Sequence, residues 1–304
     1  MTLQQLRQVL TIAESNSMNE AAKKLFVSQP NLSATVREVE EELGITVFMR
    51  NNRGITVTAE GEEFLGYAKQ VVEQYHLLEN RYLNVESKKK FSVSMQHYSF
   101  AVKAFVQLAK EVGMDEYEFA VHETKTKEVI DNVKNLKSEI GVLYLSDFNE
   151  KVLRKLFKEC DIEFKELFTC NTYVYLWKKH PLAGQKEITL DDLQEYPCLT
   201  FEQGVNNSFY YAEEMMSTYE YKRVIKADDR ATMLNLMVGL NGFTLCSGII
   251  SEDLNGDDYA AIPLKESEKM HIGYIKHKGT KLSKLGEIYI CLLYTSPSPR
   301  DTER

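Results

Sequence analysis

No stretch of this 304-residue chain is apolar for long enough to cross a bilayer, so a membrane protein is not expected. It also lacks the GxSxG elbow and the phosphate-cradling loop, and its 6 histidines are scattered without ligand spacing. No nucleophile with its base, no acid pair and no metal cluster stands out, so no catalytic residue, metal or cofactor is assigned and an enzyme is not expected. The 5 cysteines, Cys160, Cys170, Cys198, Cys246 and Cys291, show neither CxxC spacing nor a disulfide framework. They read as reduced thiols of a cytoplasmic protein. Positive charge is not in excess either: 37 Lys plus Arg stand against 45 Asp plus Glu, which speaks against indiscriminate nucleic-acid binding. The first ninety residues carry 11 basic against 12 acidic side chains, so any footprint on nucleic acid must be local.

What is present is most concentrated from Ser17 to Phe48, SMNEAAKKLFVSQPNLSATVREVEEELGITVF. Ser17 and Glu20 form a capping box that opens one helix. Ala21, Ala22 and Leu25 share a face of it, and the two alanines are small enough for a second helix to cross closely. Ser28 suits the N-cap of the next helix, and Pro30 is tolerated in a first turn whose amide would have no partner anyway. Leu32, Val36, Val39 and Leu43 make the buried stripe of that helix, and Gly44 follows where a left-handed C-cap is wanted.

Two short amphipathic helices joined by a tight turn are expected to form a helix-turn-helix that reads DNA. The free face of the second helix would present Gln29, Pro30, Asn31, Ser33, Ala34 and Arg37 to the major groove, Gln and Asn suiting adenine and Arg suiting guanine. The segment FMRNNRGITVT reads as two short strands about a turn at Asn52 to Gly54. This wing would bring Arg50 and Arg53 to phosphates or the minor groove, with Lys23 and Lys24 on the same surface. Thr58 is placed to cap a long helix from Ala59, along which Phe64, Ala68, Val71, Tyr75, Leu78, Tyr82 and Val85 recur at alternating intervals of four and three. Such a stripe can bury against its own chain or join two chains; a dimer seam is the preferred reading. A two-fold dimer sets its recognition helices about one duplex turn, roughly 34 Å, or a multiple apart on a palindromic site.

The opening segment resembles the amino-terminal domain of LysR-type transcriptional regulators, matched at Ala21, Ala22, Leu25, Val27 to Pro30, Leu32, Ser33, Glu40, Leu43, Gly44, Phe48, Arg50, Thr58 and Gly61. It departs at Met18, where the family usually has Phe, and at Ala34, where many members carry a longer polar or basic residue. The first concerns packing; the second leaves base specificity open. The resemblance implies a double-stranded DNA operator, a small-molecule effector, dimers through the linker helix that pair into tetramers, and RNA polymerase as a further partner.

After Ser87 to Lys90 the pattern changes to strands alternating with helices. Strands are expected at Phe91 to Gln96, Tyr117 to His122, Ile140 to Leu145, Phe164 to Cys170, Tyr173 to Lys178, Cys198 to Phe201, Thr244 to Ser247 and Met270 to Tyr274. About two hundred residues with two strand clusters read as two small subdomains with a ligand cleft between them. YVYLWKKHPLA, ITLDDLQEYPCLTF and MLNLMVGLNGFTLCSGI resemble the effector-binding domain of the same family, whose fold is similar to periplasmic binding proteins.

The fold class is thus α+β and α/β multidomain, with a winged helix-turn-helix at 1–58, a linker helix at 59–87 and an effector-binding domain at 91–290. Within the last, subdomain I covers about 91–162 and 264–290 and subdomain II about 163–263. An effector would sit at strand ends and helix starts. The candidates are His97, Tyr98, Ser99 and Phe100, then Thr124 and Thr126, then Phe201, Gln203, Gly204 and Ser208, then Cys246 and Ser247. Taken singly, Ser99, Thr124 or Ser208 reads as a cap or turn residue; only their convergence favours a site. Cys198 reads as a buried strand thiol, since no second cysteine follows within forty residues to make a redox pair.

The expected mechanism is a ligand-driven shift of the subdomains that alters the DNA-reading pairs and the bend of the duplex. The alternative is a small-molecule-binding module without DNA-binding activity. CLLYTSPSPRD, from Cys291 to Asp301, breaks the amphipathic pattern, and its reverse translation resembles a transposon-end sequencing adapter read through in frame. Residues 291–304 are therefore expected to be a non-native tail.

Overall fold

The computed structural model describes residues 1–15, 17–51, 54–82, 89–113, 116–206 and 208–295. The chain divides into two compact units, Met1–Ser87 and Lys88–Arg304.

In the first unit the order is α1 (Leu3–Ala13), α2 (Met18–Lys24), α3 (Gln29–Leu43), β1 (Phe48–Asn51), β2 (Gly54–Val57) and α4 (Ala59–Tyr82). Local chemistry sets the helix ends. Ser17 Oγ accepts from Glu20 N–H, Ser28 Oγ from Asn31 N–H, and Gly44 closes α3 in the left-handed region at φ 70. Val9, Ile12, Met18, Ala21, Ala22, Leu32, Val36 and Val39 pack together with Val47 and Phe48. Leu43, read as the last member of the buried stripe, is instead 38% exposed. The chain turns at Gly44, and Ile45 and Val47 take over the packing that one more helical turn would have given. Glu40 Oε1 accepts from the Val47 and Phe48 amides at 2.7 and 3.0 Å, tying the wing strand β1 to the recognition helix.

Thr58 caps α4 through Gly61 N–H at 2.9 Å, and a Cβ on Gly61 would lie 2.4 Å from the Val47 carbonyl oxygen. The linker stripe divides its labour. Ala68 and Val72 are buried against Leu6 of α1 with Phe64 beside them, whereas Val71, Tyr75 and Leu78 are exposed and Tyr67 joins them at 58%. The amino-terminal seam positions therefore serve α1, because α4 must first pack on its own domain. The Tyr82 side chain and Val85 lie outside the described residues.

The second unit runs β3 (Lys89–Met95), α5 (Ser99–Val112), β4 (Tyr117–Glu123), α6 (Thr126–Lys134), β5 (Ile140–Leu145), α7 (Glu150–Glu159), β6 (Ile162–Cys170), β7 (Tyr173–Trp177), β8 (Cys198–Phe201), β9 (Val224–Ala227), α8 (Arg230–Leu240), β10 (Thr244–Cys246), α9 (Glu252–Asn255), β11 (Tyr259–Pro263), β12 (Met270–His277) and α10 (Lys284–Thr295). One subdomain holds a five-stranded sheet in the order β4-β3-β5-β12-β6, with β3 parallel to both neighbours and β12 antiparallel to both of its own. The other holds an antiparallel sheet, β10-β7-β11, and the parallel pair β8-β9.

Two sequence expectations change here. Strand β6, read as opening subdomain II at about residue 163, belongs to the first sheet along its whole length, from Ile162 opposite His277 to Cys170 opposite Met270. The crossing to the second subdomain therefore follows Cys170, and Asn171 and Thr172 form a crossover between sheets. The chain also does not lose its pattern at Cys291. Helix α10 runs on to Thr295, burying Leu292 and Leu293 at 8% and 0% exposure, and Tyr294 Oη donates to the Glu166 carbonyl. Residues 296–304 lie outside the described residues.

Candidate functional site

On the helix-turn-helix, α3 holds its amino-terminal polar residues outward because Leu32, Val36 and Val39 hold the opposite face in the core. Pro30, Asn31, Ala34 and Arg37 are exposed, as are Lys23 and Lys24 at the end of α2. Gln29 and Ser33 are half-buried, and Gln29 Nε2 donates to Ser33 Oγ at 2.8 Å, one turn along the helix. Lys24 lies 2.9 Å from Glu20, so part of its charge is met within the domain. Arg50 sits on β1; its side chain, and all of Arg53, lie outside the described residues. Sequence reasoning passed over Phe26, which is 95% exposed in the turn and held at φ 55. A bulky residue in the left-handed region is uncommon, and the turn that demands that conformation was the available signal.

In the second unit, a cavity of about 730 Å³, counted with its open mouth, lies between the two subdomains. Of the candidates, His97, Tyr98, Ser99, Phe201, Cys246 and Ser247 line it. The other six do not. Phe100 is in the apolar core at 1% exposure, and Thr124 is turned to Glu128. Gly204 and Ser208 are exposed. Thr126 and Gln203 are buried together behind the lining: α6 begins without a side-chain cap of its own, and Gln203 Oε1 accepts from Thr126 N–H at 3.1 Å, joining the two subdomains.

Sequence reasoning missed Gln96, Tyr175, Glu213, Glu214, Arg230 and Thr244, all of which line the cavity. The acid pair holds the centre of a polar network. Glu213 Oε2 lies 2.7 Å from His97 Nδ1 and accepts His97 N–H at 3.1 Å, while Oε1 accepts from Gln203 Nε2 at 3.0 Å. The His97 ring stacks on Phe201 with centroids 3.6 Å apart, and Phe201 N–H donates to Glu214 Oε1 at 2.9 Å. Gln96 Oε1 accepts from Tyr144 N–H and Tyr98 Oη, and Tyr144 Oη donates to the Ala212 carbonyl. Arg230 pairs with Glu123 and Lys125 with Asp228, both pairs spanning the cleft. Burial, and then the neighbouring Glu213, push the Glu214 carboxyl up to about 8.

Burial also raises the thiols. Cys246 and Cys170 are each pushed up to about 12, and Cys198, 2% exposed, is raised as well. Such groups stay protonated and are poor nucleophiles at neutral pH, which fits strand packing better than thiol sensing. Among the described residues, no helix is long and apolar enough to cross a membrane and no group of His, Cys, Asp and Glu is arranged to hold a metal ion.

Comparison with known proteins places both units. Residues 3–62 match the model of the bacterial regulatory helix-turn-helix proteins of the lysR family, and residues 113–287 match the LysR substrate binding domain. The transcriptional regulator CysL of Bacillus subtilis (strain 168) is 25% identical over 300 residues, 95% of each chain. A full-length OxyR variant from Pseudomonas aeruginosa shares the fold with a TM-score of 0.71 at 18% identity, over 97% of this chain and 95% of that one. Full-length CbnR complexed with its target DNA does so with a TM-score of 0.59 at 17% identity, over 98% of this chain and 100% of that one. With two family models covering most of its length, the chain belongs to the LysR family and is a DNA-binding transcriptional regulator carrying an effector-binding domain.

Proposed function

We propose that the cavity at Gln96–Ser99, Phe201, Glu213–Glu214 and Arg230 is the effector site and that its occupancy moves the two subdomains against each other. The observation that carries this reading is that both subdomains supply the wall, joined across it by His97–Glu213, Thr126–Gln203 and Glu123–Arg230. A ligand that favours one arrangement of these bridges shifts the balance between arrangements; one that binds both equally changes nothing. The shift alters the spacing or angle of paired recognition helices and hence the bend of the operator.

In this reading Gln29, Asn31, Ser33 and Arg37 contact bases, and Lys23, Lys24, Arg50 and Arg53 contact the backbone or minor groove. The exposed stripe Tyr67, Val71, Tyr75 and Leu78 joins two chains in a dimer, dimers pair into tetramers, and the protein works in the cytoplasm with RNA polymerase as a downstream partner.

The test is a footprint and mobility shift on the DNA flanking the protein's own gene, with the salt dependence recorded. A protected palindrome, lost in Gln29→Ala and Arg37→Ala, is the expected result. A ligand that binds the cleft yet leaves operator affinity, footprint and transcription unchanged refutes the mechanism.

A further inference from the structure

The wall of the cleft carries a buried carboxylate of the chain's own close to the start of a helix. Helix α5 starts at Ser99 without a side-chain cap, at a residue lining the cavity, where backbone amides and the helix dipole favour negative charge. Glu213 is bonded to His97, two residues before the helix. Its two oxygens take up His97 N–H, His97 Nδ1 and Gln203 Nε2, and its side chain is only 4% exposed. Glu214 follows directly as a second buried carboxyl in the same wall, 6% exposed.

The cations near this pair are accounted for. The acidic and basic side chains lining the cavity are His97, Glu213, Glu214 and Arg230. Arg230 is held by Glu123, Lys125 by Asp228 just outside, and His97 by Glu213. Two carboxyls therefore face one imidazole. Burial first, and then Glu213, raise the Glu214 carboxyl, so no cation of the chain offsets the cost of ionising it there. Met233, Leu234, Ile249 and Ile250 give the wall an apolar side. One further group points to an occupant: Thr244 Oγ1, on a cavity-lining side chain 6% exposed, has no hydrogen-bond partner among the described residues.

We infer that the cleft takes a small organic cation, an amine on a short apolar body, with its ammonium at Glu214 beside Glu213 and its body against Met233, Leu234 and Ile250. This rests on the reading of the cleft as the effector site. An ammonium brings positive charge to the two carboxyls, whereas a carboxylate at the same place would sit against both of them.

The experiment is calorimetric titration of the full chain with two matched sets of probes, benzylamine, benzyl alcohol and benzoate, and isopentylamine, isopentanol and isovalerate. It is repeated on Glu214→Gln, which keeps the shape of the protonated acid, and on Leu234→Trp, which fills the apolar wall. In the expected result each amine binds about tenfold or more tightly than its alcohol and the carboxylate does not compete. Glu214→Gln then removes the preference for the amine, and Leu234→Trp removes binding. Tighter binding of the carboxylates or alcohols, abolished by Leu234→Trp, overturns the cation while leaving the cleft as the effector site. Amine binding undiminished in Glu214→Gln overturns the assignment of Glu214. Binding that ignores Leu234→Trp, or silence from both sets, overturns the cleft reading and the cation with it.

Discussion

Replacing Glu214 by Gln should stabilise the empty protein at alkaline pH and leave it nearly unchanged at acid pH. Burial and the adjacent Glu213 push this carboxyl up to about 8 from an ordinary 4.5, so the folded chain keeps a proton that the unfolded chain has already released. The folded value is the raised one. The stabilising contribution is therefore fully present below pH 4.5, declines as the pH rises, and is gone above about 8. Inside that window each pH unit removes at most about 1.4 kcal/mol of unfolding free energy on account of this group. From pH 5 to pH 8 the ceiling is about 4 kcal/mol, and water at the cavity wall reduces it to a few kcal/mol. Gln cannot ionise, and its amide oxygen can still accept from Phe201 N–H, which lies 2.9 Å from Glu214 Oε1. The assay is denaturant unfolding of the carboxy-terminal unit's transition in both full chains from pH 5 to pH 9. Subtracting one curve from the other removes the groups that titrate alike in both. The variant should gain steadily on the parent above pH 5. Curves that stay parallel to pH 9 refute the reasoning, because Glu214 would then ionise in the fold as freely as in water.

Other substitutions probe the rest of the chain. Phe26→Asn should raise the melting temperature of the helix-turn-helix, by about 0.5–1 kcal/mol in stability, because it relieves a left-handed aromatic that packs on nothing. Thermal unfolding followed by circular dichroism checks this. Gly61→Ala should cost about 1–3 kcal/mol, since the new Cβ meets the Val47 carbonyl at 2.4 Å and forces α4 away from the wing, measurable as a lower midpoint in urea. Leu293→Ala should cost about 2–5 kcal/mol, and cutting the chain after Ile290 should cost more, because the last turn of α10 fills the core. A truncated chain that melts with the full one would show that Leu292 and Leu293 contribute nothing to the fold.

Much of the first unit could be read locally because its signals are local. Ser17, Ser28, Gly44 and Thr58 each act on an amide or a dihedral within a few residues of themselves, and each is found in that role. Leu43 failed because a period of 3.6 does not say where a core ends; Ile45, past the turn, decides that. The cleft was legible where a strand ends, at His97 to Ser99, at Phe201 and at Cys246 and Ser247. Glu213 and Glu214 lie in YYAEEMMSTYE, which has no period and no turn signal to mark them as buried. Glu213 is held by His97, 116 residues away, and no local pattern carries that contact. Strand β6 was misassigned for the same reason, since its partner β12 comes about a hundred residues later. Strands β9 and β11 are short and half-exposed, which leaves too little alternation to detect.

The exit from the first sheet and the return to it sit side by side. Cys170 faces Met270 across the ladder, and just beyond them Thr172 bonds Ser267 and Glu268, drawing the two crossing segments together. The entire excursion from Asn171 to Lys269 is thus an insert in a β-hairpin, and a two-residue turn from Cys170 to Met270 would leave the order of the five strands unchanged. The sheet is a host that does not need its guest for connectivity, so one sensor half can be exchanged for another without rethreading the chain. Besides the polar bridges across the cleft, shared apolar surface ties them: Val174 and Phe243 of the insert pack in one cluster with Tyr144 and Met270 of the host. A transplanted insert would have to match that seam, and at this join compatibility is a question of shape before it is one of sequence.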